Sequence, residues 1–212
     1  MGDSDGKELL RGETRALPTA GVIDLAASIG IDRRKPVEFE IGFGKGLFLL
    51  DRAQQLPEVV FFGIELKRKW VDLVAARAKK RNLENLYVRH GDAKDVLKRL
   101  FPDALFTRIF IIFPDPWWKA RHQKRMLVTA PLVQEVARLL ADDGELFIET
   151  DVESRAEAYH ATVSACPDFG TDRPGGGRLR ENPFGARSLR EKKCEDLGLP
   201  VYRMLFHRIR RS

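Results

Sequence analysis

The stretch "PVEFEIGFGKGLFLLDRAQQLPEVVFFGIEL", residues 36–66, contains the pattern that decides the fold. A short apolar run, Val37 to Ile41, leads into a glycine-rich turn, and "LFLLDRAQQL" follows with helical spacing of its apolar residues. "VVFFGIEL" is then a second continuous apolar run, which is typical of a strand buried on both faces of a parallel sheet. The stretch is therefore predicted to form a strand–helix–strand unit.

The same alternation of strand and helix continues to about residue 166. The predicted helices cover residues 67–82, 93–101, 127–144 and 152–165. The predicted strands cover residues 108–116 and 145–151, and residues 85–93 are predicted to form a strand and its following loop. Asp142, Asp143 and Gly144 are expected to end the third of these helices. We expect an α/β fold with a mostly parallel sheet and helices on both faces, closed by a final strand in "VYRMLFHRIRR", residues 201–211.

The two ends of this pattern differ from its middle. Residues 1–20 are polar, show no clear period and are predicted to form a flexible N-terminal arm, and "GVIDLAASIG" (residues 21–30) is a candidate short helix. Residues 167–188 are rich in Gly, Pro and Arg and are predicted to be loop. Residues 21–212 are therefore expected to be a single domain.

Composition and charge limit the possible functions. The 212 residues, 43% of them hydrophobic and 32% charged, suit one globular domain, and the net charge of +6 favours a polyanionic partner such as nucleic acid. Cys166 and Cys194 form no CxxC pair and have no histidine pair nearby, so no metal site is expected. Without a signal peptide or a membrane-spanning apolar run, the protein is expected to be cytoplasmic and away from membranes.

Every predicted parallel strand ends on a carboxylate. These residues are Glu40, Glu65, Asp92, Asp115, and Glu149 with Asp151. Ligands of an open parallel sheet bind beyond the carboxyl ends of its strands, near the point where the strand order reverses. So many acidic residues at one edge therefore predict a ligand site there.

The glycine turn and Glu65 indicate a nucleoside-bearing ligand. Gly42, Gly44 and Gly46 allow a tight turn and close approach of a ligand to the backbone. Glu65 ends the next strand, about 20 residues further on, where a carboxylate can accept both hydroxyls of a ribose. Both a dinucleotide and S-adenosylmethionine fit this pattern. The GxGxG spacing and the acidic Glu40 favour S-adenosylmethionine, because a carboxylate suits its cationic methionine end better than a pyrophosphate.

Asp92 and Asp115 extend this site. Asp92, which follows "HG", suits a contact to an adenine amino group. Asp115 stands between two prolines in "IFIIFPDPWWKARHQKRMLV" (residues 109–128), where fixed backbone angles hold it at the strand end. Two tryptophans and the basic "KARHQKR" follow directly, at the edge where the phosphate backbone of a nucleic acid would pass.

These motifs resemble those of the bacterial tRNA (guanine-N7)-methyltransferases. The resemblance extends from about residue 38 to 206 and is carried by "EIGFGKG", "GIE", "GDA", "FPDPWWKARHQKRM", "ETD" and "VYRMLF", of which the PDPW block with KxRHxKR is highly specific. It implies a Rossmann-like class I methyltransferase domain with a seven-stranded sheet and an antiparallel C-terminal strand. It also implies methyl transfer from S-adenosylmethionine to N7 of a guanine in the tRNA variable loop, by a monomer or homodimer.

The resemblance also assigns roles to single residues. It implies that Glu40, Glu65, Asp92 and Asp115 contact S-adenosylmethionine, with Asp115 also the catalytic aspartate. It implies substrate contacts at Lys119 and Asp151, and RNA contacts along residues 121–126, which include Arg121, His122, Lys124 and Arg125. The family has a Thr-x-x-Glu motif shortly before its last strand that helps bind the guanine, so the resemblance also implies substrate contacts at the matching positions. This chain has Ser188 and Glu191 there, with Arg190 where an aromatic or apolar residue is usual.

Guanine N7 carries a lone pair and no proton, so its methylation requires no general base. We expect a carboxylate to stabilise the cationic methylated base, and either Glu191 or Asp151 to pair with the N–H donors of the guanine. Three other functions are less favoured. A dehydrogenase would need a nicotinamide pocket and a catalytic histidine, for which the sequence offers no candidate. A methyltransferase of another RNA or of a small-molecule amine would share the cofactor residues, but an amine methyltransferase has no use for the basic block. A non-catalytic RNA-binding subunit would keep the basic block but would not need Glu65 and Asp115.

Overall fold

The computed structural model describes residues 17–18, 20–32, 34–115, 126–170 and 177–211. Most of the predicted N-terminal arm lies outside these residues, so its role stays a prediction. The strands are β1 (Ile23–Asp24), β2 (Val37–Ile41), β3 (Val60–Glu65), β4 (Leu86–His90), β5 (Leu100–Phe101), β6 (Phe106–Ile112), β7 (Leu140–Thr150), β8 (Phe169–Gly170), β9 (Arg178–Leu179) and β10 (Tyr202–Arg208).

Helices connect most of the parallel strands. They are α1 (Leu25–Ile29), α2 (Leu47–Gln55), α3 (Arg68–Lys80), α4 (Ala93–Arg99), α5 (Ala130–Leu139), α6 (Glu153–Ser164) and α7 (Leu189–Asp196). The short helix predicted in residues 21–30 is α1, which begins after Asp24, whose side chain accepts a hydrogen bond from the Ala27 amide at 2.9 Å. In the described part of the chain, no helix is long and apolar enough to cross a membrane.

The main sheet has the strand order β4-β3-β2-β6-β7-β10-β8, and β9 pairs with β10 beside this path. β2, β3, β4, β6 and β7 are parallel to their neighbours, whereas β10 runs antiparallel to β7. The prediction of a mostly parallel sheet with an antiparallel C-terminal strand is confirmed. The chain moves outward from β2 to β4 and then returns to β6 on the other side of β2. This reversal places the switch point between β2 and β6.

Apolar side chains fill both faces of the sheet. Phe61 packs with residues of α2 and α3, while the next residue, Phe62, belongs to the cluster that α4, α5 and α6 also enter. Successive side chains of a strand point to opposite faces, so these two clusters lie on opposite sides of the sheet. Burial on both faces explains why the strands are continuous apolar runs in the sequence.

The helix predicted over residues 127–144 is shorter than expected. α5 ends at Leu139 and β7 already begins at Leu140, so the prediction that Asp142, Asp143 and Gly144 end the helix is wrong. These residues lie in an irregular part of β7, where the pairing with β6 shifts between Phe106 and Arg108. Asp143 has a positive φ of 61° there. Asp, Asn and Gly tolerate a positive φ, and the same residues often end helices. An irregular strand pairing of this kind and a helix end therefore look alike in the sequence.

Helix α7 is absent from the sequence-based prediction. Leu189 and Cys194 are its only apolar residues, so it shows no apolar stripe. Ser188 is the N-cap, and its Oγ accepts a hydrogen bond from the Glu191 amide at 3.0 Å. Serine at the N-cap with glutamate three residues later is the sequence pattern of a capping box, and this signal could have located the helix start.

Candidate active site

A cavity of about 550 Å³ lies at the carboxyl ends of β2, β3, β4 and β6, next to the switch point. Five of the predicted ligand residues line it, namely Gly42, Gly44, Glu65, Asp92 and Asp115. The other lining residues include apolar side chains of the strand ends, the indole of Trp70 at the start of α3, and Lys67. The structure therefore gathers into one space residues that are up to 73 positions apart in the sequence, counting from Gly42 to Asp115.

The glycine turn requires glycine for two different reasons. Gly42 and Gly44 have φ angles of 76° and 52°, and a Cβ on either would meet no atom within 4 Å. Their backbone conformation disfavours other residues, and the space beside them stays open to the cavity. Gly46 also has a positive φ, but a Cβ there would lie 2.4 Å from Cγ2 of Val74. Gly46 therefore serves the packing of α3 against the turn and does not line the cavity.

Glu65 is held by backbone donors on both sides. Its Oε2 accepts a hydrogen bond from the Gly44 amide at 2.9 Å, and its Oε1 accepts one from the Lys67 amide at 2.8 Å. Each carboxylate oxygen can accept more than one hydrogen bond, so acceptor capacity remains. The carboxylate thus joins the glycine turn to the start of α3 and presents a fixed acceptor at the cavity wall.

Glu40 lies deeper than Glu65. It is 3% exposed, its Oε2 has no hydrogen-bond partner among the described residues, and it is not part of the cavity lining. Burial, with a further contribution from the charge of Glu65, raises the pKa of Glu40 to about 8. Glu40 is therefore largely protonated at neutral pH, and a nearby cation would favour its ionised form.

The remaining two acidic cavity residues occupy loop positions. Asp92 is the N-cap of α4, and its Oδ1 accepts a hydrogen bond from the Lys94 amide at 2.9 Å. Asp115 is exposed and follows β6 by way of Phe113, whose φ of 46° turns the chain towards the cavity. The Phe113 amide donates to the Glu149 carbonyl oxygen at 2.8 Å. This bond keeps the ends of β6 and β7 side by side.

A second group of charged residues lies at the carboxyl end of β7, between β7, β10 and α7. Arg203 of β10 is the register partner of Glu149, and its Nε donates to Glu149 Oε1 at 2.9 Å. Its Nη2 donates to Oε1 of Glu191 at 2.8 Å. Asn182 Nδ2 lies 3.2 and 3.0 Å from the two oxygens of Glu191. Both glutamates are fully buried, so one guanidinium and one amide bind two buried carboxyl groups.

Glu149 is the less satisfied of these two carboxyl groups. Its Oε2 has no partner among the described residues. Burial, and after it the charge of Glu191, raises the pKa of Glu149 to about 9, despite the opposing charge of Arg203. A single buried guanidinium cannot balance two buried carboxylates, and keeping Glu149 protonated removes the excess negative charge.

The remaining predicted substrate residues are distributed around α7. Ser188 uses its hydroxyl as the helix cap, and Glu191 is enclosed by Arg203 and Asn182. Asp151, which follows β7, forms an ion pair with Arg190 through its Oδ2. Lys119, Arg121, His122, Lys124 and Arg125 lie in residues 116–125, outside the described part of the chain, so their roles stay predictions.

Comparison with known proteins gives the family of this chain. The family model described as "Putative methyltransferase" matches residues 34–204. A tRNA (guanine-N(7)-)-methyltransferase of Synechococcus elongatus is 39% identical over 181 residues, which cover 84% of this chain and 84% of that protein. A tRNA (guanine-N(7)-)-methyltransferase of Marinobacter nauticus is 36% identical over 188 residues, with 89% and 78% covered. The chain belongs to the tRNA (guanine-N7)-methyltransferase family.

Solved structures support the fold of this family member. The antibiotic-resistance methyltransferase Kmr superimposes with a TM-score of 0.61 at 16% identity, covering 93% of this chain and 99% of that one. The 16S rRNA methyltransferase KamB gives a TM-score of 0.60 at 12% identity, with 92% and 99% covered. At these identities the likeness concerns the fold alone. The expected Rossmann-like class I methyltransferase domain is confirmed.

Sequence reasoning missed three residues of the second charged group, namely Asn182, Arg190 and Arg203. Asn182 and Arg203 bind a predicted site residue, Glu191, from positions 9 and 12 residues away along the chain. In the sequence, Arg190 is only a departure from the family motif. Its pairing with Asp151, which is 39 residues earlier in the sequence, depends on how α7 packs against the end of β7.

Proposed function

We propose that this protein transfers the methyl group of S-adenosylmethionine to N7 of a guanine in the variable loop of tRNA. The observation that carries the proposal is the cavity at the switch point. Gly42, Gly44, Glu65, Asp92 and Asp115 line one space there, in a chain that belongs to this family.

The residues around the cavity fit S-adenosylmethionine. Glu65 is fixed by two backbone amides and retains acceptor capacity for the two ribose hydroxyls. Asp92 lines the same cavity, and its remaining oxygen is assigned to the adenine amino group. Glu40 has an unpartnered buried oxygen on the strand that leads into the glycine turn, and a cationic methionine end would stabilise its ionised form.

The chemical step requires positioning more than proton transfer. When bound, S-adenosylmethionine supplies a methyl group on a sulfonium, and the guanine N7 lone pair bonds to that carbon while the electrons of the broken C–S bond stay on sulfur. Positive charge thereby moves to the base. Asp115, an exposed carboxylate at the cavity rim, stabilises this charge. No residue has to remove a proton from N7 before or during transfer.

The structure favours Asp151 over Glu191 as the acceptor for the N–H donors of the guanine. Both oxygens of Glu191 already bind protein donors, and the side chain is fully buried. Asp151 is partly exposed, and its hydrogen bonds to described residues all go to Oδ2. We therefore assign the base contact to Asp151 and the support of α7 to Ser188 and Glu191.

The proposed RNA contacts follow the basic segment after Asp115. Lys119 is assigned to the substrate, and Arg121, His122, Lys124 and Arg125 to the phosphate backbone of tRNA. Their support is the sequence motif and its place directly after β6, since the tRNA must approach the carboxyl edge of the sheet to deliver its guanine to the cavity.

Methylation of unmodified tRNA with labelled S-adenosylmethionine tests the proposal. We expect 7-methylguanosine as the labelled nucleoside, located in the variable loop by chain cleavage at the methylated base. At saturating S-adenosylmethionine the rate should change little between pH 7 and pH 8, because N7 has no proton to lose. A labelled amino group on a base or small molecule, or a rate at saturating cofactor that follows one ionisation, would contradict the proposal.

A further inference from the structure

Arg190 and Asp151 form an ion pair that the family motif does not contain. Arg190 Nε donates to Asp151 Oδ2 at 2.8 Å, and Nη2 of the same guanidinium contacts the same oxygen. The Cys194 Sγ lies 3.9 Å from Oδ2 as well. Within the described residues no hydrogen bond reaches Oδ1 of Asp151, although Arg190 and Cys194 both approach its neighbour Oδ2. As far as the described residues go, the carboxylate of Asp151 thus has one engaged oxygen, Oδ2, and one without a hydrogen bond, Oδ1.

The first turn of α7 fixes the position of Arg190. Ser188 caps the helix, and Glu191 is anchored below by Arg203 and Asn182. Arg190 directly precedes this buried anchor, so its Cα has little freedom to move. Its side chain is nevertheless 47% exposed, while that of Asp151 is 18% exposed. The guanidinium is therefore held over the end of β7 with part of its N–H groups facing outward.

The pair lies at the same edge of the sheet as Asp115. Asp151 follows β7 directly, Asp115 is three residues beyond the end of β6, and these two strands are adjacent and parallel. The hydrogen bond from the Phe113 amide to the Glu149 carbonyl oxygen joins the two strand ends two residues before each aspartate. This shared edge is the basis for assigning the opposite side of a base, one whose N7 lies beside Asp115, to the residues that follow β7.

We propose that Arg190 and Asp151 together read the Watson–Crick edge of the target guanine, with Asp151 Oδ1 accepting from N1–H and an outward N–H of Arg190 donating to O6. This inference rests on the proposed function. Arginine has five N–H donors, and the pairing with Asp151 uses two of them. Binding O6 from the N1 side leaves N7 open, unlike the two-pronged arginine contact to O6 and N7 that is common in DNA recognition.

The same pair would reject adenine. Adenine places an amino group where guanine has O6, so a donor would meet the donors of Arg190. It also has an unprotonated N1, so a lone pair would meet Asp151 Oδ1. When adenine enters, the guanidinium of Arg190 and the carboxylate of Asp151 would each lose water without gaining a hydrogen-bond partner. Leaving a charged group unpaired in this way is more costly than losing a hydrogen bond between neutral groups. Arg190 therefore acts in this proposal as a specificity-determining residue.

Base analogues at the methylated position test the proposal. Three tRNAs carry guanosine, inosine or 2-aminopurine riboside there. Inosine keeps O6 and N1–H and lacks the 2-amino group, whereas 2-aminopurine lacks both O6 and N1–H. Single-turnover methylation is measured for wild type, Arg190→Leu and Arg187→Leu. Arg187 is a matched control, since it lies just before α7, is 46% exposed and pairs with Glu195 of that helix.

We expect Arg190→Leu to slow methylation of guanosine and inosine alike, by roughly 10- to 100-fold, as for loss of one charge-assisted hydrogen bond. Its rate with 2-aminopurine should match that of wild type, and Arg187→Leu should match wild type on all three. Unchanged melting temperature and S-adenosylmethionine affinity establish that Arg190→Leu is folded.

Three results would overturn the inference. An equal loss on all three tRNAs, together with a flatter salt dependence, would place Arg190 on a phosphate. No loss on any of them would make the pair an ordinary surface salt bridge. If wild type forms no 7-methylguanosine on the guanosine tRNA, the proposed function fails first and this inference falls with it, so the two failures are distinguishable.

Discussion

Replacing Glu40 with glutamine should change how the stability of the protein depends on pH. Burial and the charge of Glu65 raise the pKa of Glu40 from 4.5 to about 8. Between pH 4.5 and about pH 8, the carboxyl group of Glu40 is therefore protonated in the folded protein and ionised in the unfolded chain. A group whose pKa is raised by folding stabilises the protein at low pH, and its contribution is lost as the pH rises through the folded pKa. Wild-type stability should therefore fall between about pH 5 and pH 8.

The size of the effect follows from this difference in pKa. Each pH unit between 4.5 and about 8 lowers the unfolding free energy by about 1.4 kcal/mol, or about 5 kcal/mol in total. Glutamine does not ionise, so the variant lacks this loss, but its buried amide costs about 1–3 kcal/mol. The Glu40→Gln variant should thus be about 1–3 kcal/mol less stable than wild type at pH 5. At pH 8 the variant should be about 2–4 kcal/mol more stable than wild type. This is the loss of about 5 kcal/mol in wild type minus the cost of about 1–3 kcal/mol for the buried amide.

Urea unfolding of the ligand-free protein at pH 5, 6.5 and 8 measures this directly. Glu149 also has a pKa raised to about 9, but it is present in both proteins, so the difference between them isolates Glu40. Titration with S-adenosylmethionine in buffers of different ionisation enthalpy gives a second readout. Wild type should release a proton on binding near pH 7, because a cation close to Glu40 favours its ionised form, and the variant should release none.

A constant stability difference between Glu40→Gln and wild type from pH 5 to pH 8 would refute this reasoning. It would mean that Glu40 is ionised in the folded protein and that some donor satisfies its buried Oε2. The stability difference could instead follow pH while both proteins release the same number of protons on cofactor binding. Glu40 would then have a raised pKa because it is buried, but it would not contact the cofactor.

Three further changes test the separate parts of the site. Asp115→Asn should slow single-turnover methylation roughly 10²–10³-fold at unchanged stability, and a wild-type rate would limit Asp115 to a structural role in its loop. Glu65→Ala should weaken S-adenosylmethionine binding by roughly 1–3 kcal/mol in calorimetry while tRNA affinity stays unchanged, and equal affinity for the cofactor would contradict the ribose contact. Alanine at Arg121, Lys124 and Arg125 together should flatten the salt dependence of tRNA binding by roughly one unit of slope for each phosphate that the variant no longer binds, and an unchanged slope would show that the segment does not bind phosphate.

The cavity residues could be predicted because they follow from strand order alone. Glu65, Asp92 and Asp115 each follow an apolar run, and the carboxyl ends of parallel strands share one edge of the sheet whatever their exact register. The positive φ angles of Gly42 and Gly44 were likewise predictable, since the turn between strand and helix is short and glycine is the residue that adopts them at no cost.

The second charged group could not be predicted, because it depends on the register of an antiparallel strand. Arg203 meets Glu149 only because β10 pairs with β7 at that register, and a shift of one residue would point the guanidinium to the other face of the sheet. The irregular pairing of β7 near Asp143 adds a further offset that the sequence shows only as a turn signal. Pairing over such distances is set by the packing of the whole sheet.

In the structure, the Ser188-x-x-Glu191 motif has two roles, of which the sequence indicates only the first. Serine and glutamate at this spacing start a helix, and here the glutamate also reaches Arg203 and Asn182 beneath that helix. The motif therefore joins a local capping signal to a buried anchor, so the residue just before the glutamate is held in a fixed position. In this chain that residue is Arg190, which lies against Asp151 at the edge of the site. Exchanging Arg190 is therefore expected to change what this position presents to a base while the anchor, and with it the fold, stays the same.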